Sequence, residues 1–347
     1  MRRRLVAATA LGFAIALLLV STTALAPVAL AQGAQSSYKV PRLPDGHPDF
    51  QGFWNNTTYT PLERPKGIDR EFFTKEEVVE QMKRAASEEA EQTTPGTVAD
   101  VHYDFTQFGL DKSQAPLAVN LRTSLIVDPV DGHLPPMTDA GKRLNAARAD
   151  ARKKAGPITD AAQNQPLSVR CIQMDRDGPP MLAGAYNNNY QIVQSPGTVL
   201  ILVEMLHDPR VIPTDGRAPI PSSIRQLEGS SRGRWDGDTL VIETTNFTDM
   251  LMFAAQGASA DMKLTERFTR VADDTINYEF TISDPTTWTK PWTAVIPWTK
   301  IDPKEQMYEY MCHEDNFDIV HLLTGARARE KNPALNLLPN RESLGSR

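Results

Sequence analysis

A series of short strand patterns in the second half of the chain sets the strongest limit on its fold. The clearest is at residues 275–283, where apolar and polar residues alternate with a period of two, as on a strand with one buried face. Further runs of β-branched and aromatic residues lie at residues 190–194, 198–205, 233–235, 239–245, 264–271, 292–300 and 307–313. Strands in such close succession predict an antiparallel β domain.

The connections between these strands are short, which limits how the strands can be arranged. Asp236-Gly237 can supply the positive φ angles of a tight hairpin turn, and Asp273-Asp274 separates two strands in the same way. We therefore predict a mainly β fold, an antiparallel barrel or a sandwich. A barrel of about eight strands is just wide enough to hold one small ligand.

The start of the chain has the pattern of a cleavable signal peptide, which we assign to residues 1–31. Three arginines at residues 2–4 precede an uncharged apolar run, and Ala29-Leu30-Ala31 forms a small-residue cleavage site. A membrane anchor is the alternative for an apolar run of this length, but an anchor needs no cleavage site. The pattern predicts an exported protein, periplasmic or secreted, with no membrane span after cleavage.

The charge of the chain bears on its partners. Residues 1–31 hold three arginines and no acidic residue, so their removal takes the net charge from −6 to −9. A nucleic-acid-binding protein ordinarily shows a basic stripe, and this acidic sequence has none. We predict a small-molecule ligand or substrate and no nucleic-acid partner, while the oligomeric state stays open.

Residues 32–165, between the signal peptide and the strands, predict an arm followed by helices. The arm, residues 32–65, is rich in Pro, Gly, Asn and Thr and has few periodic apolar positions, so we expect it to be irregular. Thr74 and Glu77 then have the spacing of a capping box and predict a helix that runs to about residue 92.

A second helix is predicted over residues 138–155, because alanines and a leucine recur there at helical spacing. Gly156-Pro157 ends it. The predicted organisation is thus an arm with two helices, followed at residues 166–347 by an antiparallel β-barrel domain with a C-terminal tail.

The two cysteines of the chain, Cys171 and Cys312, have two interpretations. An exported protein folds in an oxidising compartment, where two cysteines most simply form one disulfide. The alternative is that Cys312, which is followed by His313, is a nucleophile activated by a base. We predict the disulfide.

The first candidate for chemistry follows the apolar strand at residues 198–205. His207, Asp208 and Arg210 come where this strand gives way to a loop, and ionisable groups at such positions are often functional. Histidine exchanges protons near neutral pH. A polar turn at Asp208-Pro209 explains the same residues without any function.

The second candidate comes at the end of the predicted strand at residues 307–313. His313 and Glu314 lie there, with Tyr310 shortly before them. If the two strand ends meet at one barrel opening, His207, Asp208, His313 and Glu314 form an acid–base site. An ordinary solvated turn is the alternative.

Other side chains are candidates for holding a substrate. Arginines can bind an anionic group through forked hydrogen bonds, an amide can donate to a ligand, and tryptophan can line an apolar pocket. These interpretations compete with a solvated strand edge, a plain turn and core packing. The predicted substrate-binding residues are Arg210, Arg234, Tyr310, Asn189 and Trp292.

No cofactor is predicted. The histidines and carboxylates at both strand ends are competent metal ligands, so a divalent metal is an alternative, but the compact His-x-His and His-Glu-x-x-His spacings of zinc sites do not occur. Nucleotide-binding glycine loops are also missing from the sequence.

The chain resembles a large group of predicted exported bacterial proteins without an assigned activity. The resemblance rests on PDGHPDFQGFW at residues 44–54, YNNNYQIVQ at residues 186–194, GRWDGDTLVIETTNF at residues 233–247 and YEYMCHE at residues 308–314. It implies export and supplies no substrate. The β-rich half also looks like a calycin-type barrel, the architecture of lipocalins, which is a fold analogy alone.

Two functions follow as hypotheses. The first is an exported enzyme, a lyase, isomerase or hydrolase, that uses acid–base chemistry on a small organic molecule at a barrel opening. The second is a non-catalytic binding protein whose barrel holds an apolar ligand.

Overall fold

The fold is known from a computed structural model. The residues described are 38–89, 120–174, 178–184, 187–250, 252–253, 256–302, 304, 307–314 and 316–333. The predicted signal peptide, the first residues of the predicted arm and the end of the first predicted helix lie outside these residues. No helix within the described residues is both long and apolar enough to cross a membrane.

Strands make up most of the regular structure. They are β1 (Gly52–Asn55), β2 (Ile126–Asp128), β3 (Asn189–Ser195), β4 (Thr198–Val203), β5 (Pro209–Pro213), β6 (Ser230–Asp236), β7 (Thr239–Thr245), β8 (Met252–Phe253), β9 (Gln256–Gly257), β10 (Lys263–Ala272), β11 (Thr275–Ser283) and β12 (Trp292–Lys300). The helices are α1 (Lys75–Glu89), α2 (Asp139–Ala155) and α3 (Asp318–Lys331).

Ten of these strands form one antiparallel sheet. Nine lie in the order β5-β4-β3-β1-β12-β11-β10-β7-β6, β2 pairs with β12 beside this path, and β8 and β9 form a separate small hairpin. The sheet curves until its two edge strands approach each other, so that it is a nearly closed barrel. The prediction of a mainly β, antiparallel, barrel-like fold is confirmed.

The gap between β5 and β6 is narrow at Gly233. A Cβ atom added to Gly233 would lie 2.7 Å from Cγ2 of Thr214 and 3.0 Å from Cγ2 of Ile212, closer than real contacts allow. Nearby, Nε of Arg210 on β5 donates to Oγ of Ser231 on β6 over 3.1 Å. Side chains therefore join the two edge strands where no strand ladder does.

Aromatic residues fill the interior of the barrel. The rings of Tyr190 and Trp298 stack at 4.4 Å between centroids, and Trp292 lies edge-on to Phe280 at 5.7 Å. All four residues are at most 2 % exposed. Burying a large apolar side chain is worth about 1.5–3 kcal/mol, so these rings are a main source of the stability of the fold.

The strand pattern at residues 275–283 explains how the sheet acquires this core. Its four alternate apolar residues are fully buried, and the residues between them are not. The period of two predicted the buried face correctly. The buried residues are Ile276, Tyr278, Phe280 and Ile282.

Both predicted helices are confirmed at their N-termini. The amide of Thr74 donates to Glu77 over 2.8 Å, and the amide of Glu77 donates back to Oγ1 of Thr74 over 3.2 Å, which is the predicted capping box. Thr138 caps α2 by accepting from the amide of Gly141 at 2.9 Å. Gly156 ends α2 with φ of 87°, a conformation that favours glycine.

Three predictions about elements were wrong. Residues 307–313 do not form a strand, because their main chain bonds to side chains and to a local turn rather than to the sheet. The arm is not irregular throughout, since β1 pairs with both β3 and β12. A third helix, α3, follows in the region predicted to be a tail.

Candidate functional site

The sharp turn between β4 and β5 has an unusual backbone. In this turn Leu206 and His207 have φ values of 60° and 51°. Cys171, earlier in the chain, has a φ of 53°. These values lie in the left-handed region that residues other than glycine rarely adopt. Each such residue costs on the order of 1–2 kcal/mol. Strain of this kind is concentrated at functional sites in proteins, which directs attention to this turn.

A disulfide holds the C-terminal segment close to this turn. Cys171 and Cys312 are bonded across a sequence separation of 141 residues, which confirms the predicted pairing and excludes Cys312 as a free nucleophile. The main-chain nitrogen of Tyr310 lies 3.0 Å from Nδ1 and 3.1 Å from Nε2 of His207. The two candidate segments of the sequence therefore do meet, through the ring of His207 and the main chain of Tyr310.

Glu204 connects the same turn to the sheet. Glu204 is 5 % exposed. Its carboxyl accepts from Nδ2 of Asn189 over 2.7 Å, while Oδ1 of Asn189 accepts from Asn55 over 2.7 Å. Burial raises the pKa of Glu204, and the hydrogen bonds from Asn189 and from the main chain of Tyr308 oppose that rise. Asn189, predicted to bind substrate, is thus bonded to protein partners on both sides.

A pair of carboxyl groups lies beside the turn. Asp208 interacts with Glu228, and Nε2 of Gln173 lies 3.5 Å from Oε1 of Glu228. Burial raises the pKa of Glu228 to about 8; the charge of Asp208 and the hydrogen bond to it add to the rise, while Arg210 opposes it. A pKa raised this far favours the protonated form of Glu228 at neutral pH.

Arg210, two positions after Asp208 in the chain, points into the barrel and forms a buried ion pair. Its Nη1 donates to Oε1 of Glu266 over 2.8 Å, and its Nη2 donates to the other oxygen of the same carboxylate. Tyr278 donates its hydroxyl to Oε1 of Glu266 over 2.8 Å. Burial opposes the charge of Arg210, but the Glu266 carboxylate outweighs it and raises the pKa of Arg210. The predicted substrate-binding role of Arg210 thus competes with an internal partner.

A surface pocket of about 310 Å³ opens next to Glu228. Prolines and a valine of β5 form one side, and polar residues from the loop before β6 and from β6 itself form the other. Its lining residues are Pro209, Arg210, Val211, Pro213, Gln226, Glu228, Gly229, Ser230, Ser231 and Arg232.

Gly229 to Gly233 also have the Gly-x-Ser-x-Gly spacing of a hydrolase nucleophile, with Ser231 at the centre. That motif needs a strand followed by a turn and a helix, whereas Ser231 lies on the antiparallel strand β6. Its buried hydroxyl accepts twice from Arg210 and lies 2.9 Å from Oγ1 of Thr244. Ser231 is therefore part of the ion-pair network, and the spacing is coincidental.

The other predicted site residues do not line the pocket beside Glu228. His313 and Glu314 are exposed on the turn that follows the disulfide. Arg234 is also exposed and lies 3.5 Å from Glu243. Trp292 is fully buried in the interior. Of the four predicted catalytic residues, Asp208 alone is in the pair, and His207 forms the strained turn beside it.

Glu228 was not predicted from the sequence. It lies in the loop before β6, and its partner Asp208 is 20 positions earlier in the chain. Its neighbourhood shows no histidine or second carboxylate to draw attention to it. The signal that was present is the run of turn-forming residues around Gly229, which brings the loop back towards β5.

The described residues contain no group of three or more histidine, cysteine, aspartate or glutamate side chains placed to hold a metal ion. Asp208 and Glu228 provide only two carboxyl groups at this place. The arrangement suits proton transfer, because a carboxyl with a pKa close to the working pH is an efficient general acid.

No family model, curated protein or solved structure matches this chain. The nearly closed antiparallel sheet agrees with a calycin-like architecture. A fold of this kind carries many functions, so the function has to be argued from the carboxyl pair and the pocket.

Proposed function

We propose that the protein is exported and acts on a small organic molecule by acid–base chemistry without a cofactor, with Glu228 as the group that exchanges the proton. The observation that carries the proposal is Glu228 itself, which lines the pocket, bonds to Gln173 and has Asp208 as a neighbouring carboxyl. Lyase, isomerase and hydrolase reactions all include a proton transfer to or from the substrate.

The proton transfer follows from the state of Glu228. At neutral pH the protonated carboxyl of Glu228 donates to an oxygen of the substrate as negative charge develops on it. The Glu228 carboxylate that results then takes a proton from a neighbouring substrate carbon, or from a water molecule whose oxygen bonds to the substrate, which restores the starting state. Asp208 does not line the pocket, so we assign it the role of keeping the pKa of Glu228 high.

The strained turn gives His207 a positioning role in this proposal. With a left-handed backbone, and with the main chain of Tyr310 against its ring, His207 fixes where Asp208 leaves the turn. His313 and Glu314, exposed on the next turn, have no part in the proposed proton transfer.

The competing hypothesis of an apolar-ligand carrier has less support. It requires space inside the barrel, and the interior at the level of Tyr190, Phe280, Trp292 and Trp298 is filled by rings in contact with one another. The pocket beside Glu228 is lined largely by polar groups, unlike the mostly apolar pockets that hold apolar ligands.

Export is supported by two features. The N-terminal pattern of residues 1–31 is that of a secreted precursor, and the Cys171–Cys312 disulfide is typical of proteins in oxidising compartments. The substrate is accordingly proposed to be one found outside the cytoplasm.

The test is untargeted mass spectrometry of a small-molecule mixture incubated with the protein purified after export. Wild type should convert at least one compound, and Glu228→Gln should lower its turnover by about 100-fold or more, the size of a general-acid contribution. Glu243→Gln is the matched control, because Glu243 is an exposed glutamate on the neighbouring strand β7. Turnover that survives Glu228→Gln at the wild-type rate would rule out the proposed role.

Asp208→Asn tests the division of roles between the two carboxyls. Removing the charge of Asp208 should lower the pKa of Glu228, so activity should fall off at a lower pH than in wild type. A carboxyl titration of Glu228 by NMR measures the same shift directly. An unchanged titration would show that Asp208 does not set the pKa.

A further inference from the structure

Of the two arginines that line the pocket beside Glu228, Arg210 and Arg232, Arg232 is the one whose charge has no carboxylate partner within the described residues. Arg210 pairs with Glu266, and the exposed Arg217 and Arg234 pair with Asp215 and Glu243. None of the ion pairs among the described residues includes Arg232. Even Glu243, opposite Arg232 in the strand register, pairs with Arg234 at 3.5 Å.

Neutral groups hold the guanidinium of Arg232 in place. Its Nη1 donates to the carbonyl of Ser231 over 2.7 Å and to Oγ of Ser230 over 3.3 Å, and its Nε donates to the carbonyl of Ala218 over 3.1 Å. These bonds orient the planar group without neutralising it. A pre-oriented guanidinium loses little conformational entropy when it binds an anion.

The position of Arg232 links it to the carboxyl pair. Arg232 lines the same pocket of about 310 Å³ as Glu228, and it is half-buried. Because Glu228 is protonated at neutral pH and Arg210 is paired, Arg232 is the pocket residue that presents an uncompensated charge. That charge favours an anionic ligand.

We propose that Arg232 binds the carboxylate of the substrate and thereby presents a neighbouring oxygen or carbon to Glu228, so that the substrate is a small organic acid. The presentation of the substrate to Glu228 rests on the proposed function, whereas carboxylate binding by Arg232 does not depend on it. At about 30 Å³ for each water-sized group, the pocket volume accommodates a molecule of about ten non-hydrogen atoms.

A carboxylate fits better than a phosphate at this position. A phosphate ester carries up to two negative charges, and Asp208 is a second anion beside the same pocket. A single negative charge on a planar group matches one guanidinium with less repulsion from Asp208. Inorganic phosphate is therefore included in the test as a competing probe.

The experiment compares lactate with lactamide, which has nearly the same shape and no charge, and measures the dissociation constant by NMR titration of the exported protein. Lactate should bind wild type at least about ten times more tightly than lactamide, since hydrogen bonds to a charged group are the stronger kind. Arg232→Gln should remove that preference. Arg234→Gln, two positions along the same strand and outside the pocket lining, should leave it within about twofold.

Each outcome bears on one of the two proposals. Equal binding of lactate and lactamide to wild type, tighter binding of phosphate than of lactate, or an equal loss in Arg234→Gln would overturn the carboxylate site. Lactate that binds through Arg232 also in Glu228→Gln supports the site, because this variant keeps the guanidinium. If that binding persists and no compound is turned over by wild type, the site stands and the proposed proton transfer fails.

Discussion

The buried ion pair between Arg210 and Glu266 leads to a sharp prediction about stability. Glu266 is fully buried and Arg210 is 8 % exposed, and the pair joins the edge strand β5 to β10, the third strand from the other edge of the sheet. We consider Glu266→Gln, which keeps the shape of the side chain and removes its charge. The guanidinium then stays buried without a counter-charge, and arginine cannot become neutral by losing a proton.

The size of the effect follows from the contacts that are lost. Two charged hydrogen bonds from Arg210 end on the Glu266 carboxylate, and the glutamine amide can accept only at its oxygen, so one N–H group faces another. Breaking a buried pair from one side costs about 3–5 kcal/mol. For a protein of this size, 1 kcal/mol corresponds to about 2 °C in melting temperature, so we expect a loss of about 6–10 °C.

The double variant Arg210→Met with Glu266→Leu separates a lost charge partner from lost packing. It replaces both charges by apolar groups of similar length, which is often nearly neutral, although Tyr278 loses an acceptor at a cost of about 1–3 kcal/mol. The double variant should therefore be at least as stable as Glu266→Gln. Arg210→Met alone, which leaves the Glu266 carboxylate buried without a cation, should be destabilised as well.

Equilibrium urea unfolding, followed by the fluorescence of the buried tryptophans with the disulfide intact, measures all three variants. A cost below about 1 kcal/mol for Glu266→Gln would refute the argument that the pair is a buried charge pair. A double variant as destabilised as the sum of the two single variants would refute it as well, because the two residues would then act independently.

Three other perturbations have defined outcomes. The free energy of unfolding of wild type should fall relative to that of Glu228→Gln between about pH 5 and pH 8, by up to about 4 kcal/mol. The reason is that a carboxyl whose pKa is raised to about 8 stabilises the folded state by holding its proton, and this stabilisation is lost as the pH rises. Denaturation at several pH values checks this prediction, and parallel curves for the two proteins would contradict it. Replacing Cys171 and Cys312 by serine should lower the free energy of unfolding by about 5 kcal/mol, the value of the chain-entropy model for a 141-residue separation. An unchanged free energy of unfolding would show that the disulfide does not restrict the unfolded chain. Gly233→Val should lower the free energy of unfolding by about 1–3 kcal/mol through overpacking. Gly325→Ala on α3, where an added Cβ atom meets no atom within 4 Å, should be neutral or slightly stabilising. Equal effects of the two variants in thermal melts would mean that the gap at Gly233 is not tight.

The strands with long alternating patterns could be predicted because their information is local. β11 and β12 have the bounds that the alternation gives, since each presents one face to a core that needs apolar residues at every second position. β7 was found instead as a run of β-branched and apolar residues, of which four in succession are buried. β1 could not be found in this way. It has four residues, and its extended form is stabilised by pairing with β3 and β12 rather than by its own pattern.

Residues 307–313 show how a strand pattern can be misleading. Tyrosine and methionine alternate there with other residues, but Tyr308 and Met311 are 79 % and 51 % exposed, so no buried face enforces a strand. The disulfide at Cys312 and the contact of Tyr310 with His207 hold the segment instead. Such long-range restraints leave no trace in local periodicity.

The candidate site was only half predictable for a related reason. The turn that carries His207 and Asp208 was found because it follows a strongly apolar strand. Its partner Glu228 lies in a loop whose position depends on how β5 and β6 approach each other across the gap in the barrel. A contact between two loops is determined by the closure of the sheet, and no property of either loop alone specifies it.

The interior and the edge of the barrel are coupled through Arg210. The same guanidinium neutralises Glu266 inside and lowers the pKa of Glu228 at the pocket. In wild type the Glu266 carboxylate offsets much of the positive charge that Glu228 experiences, which helps to keep Glu228 protonated at neutral pH. In Glu266→Gln that offset is lost, so the pKa of Glu228 should fall below its value of about 8. The packing of the barrel interior is thus part of what allows a carboxyl on its outer edge to act as an acid.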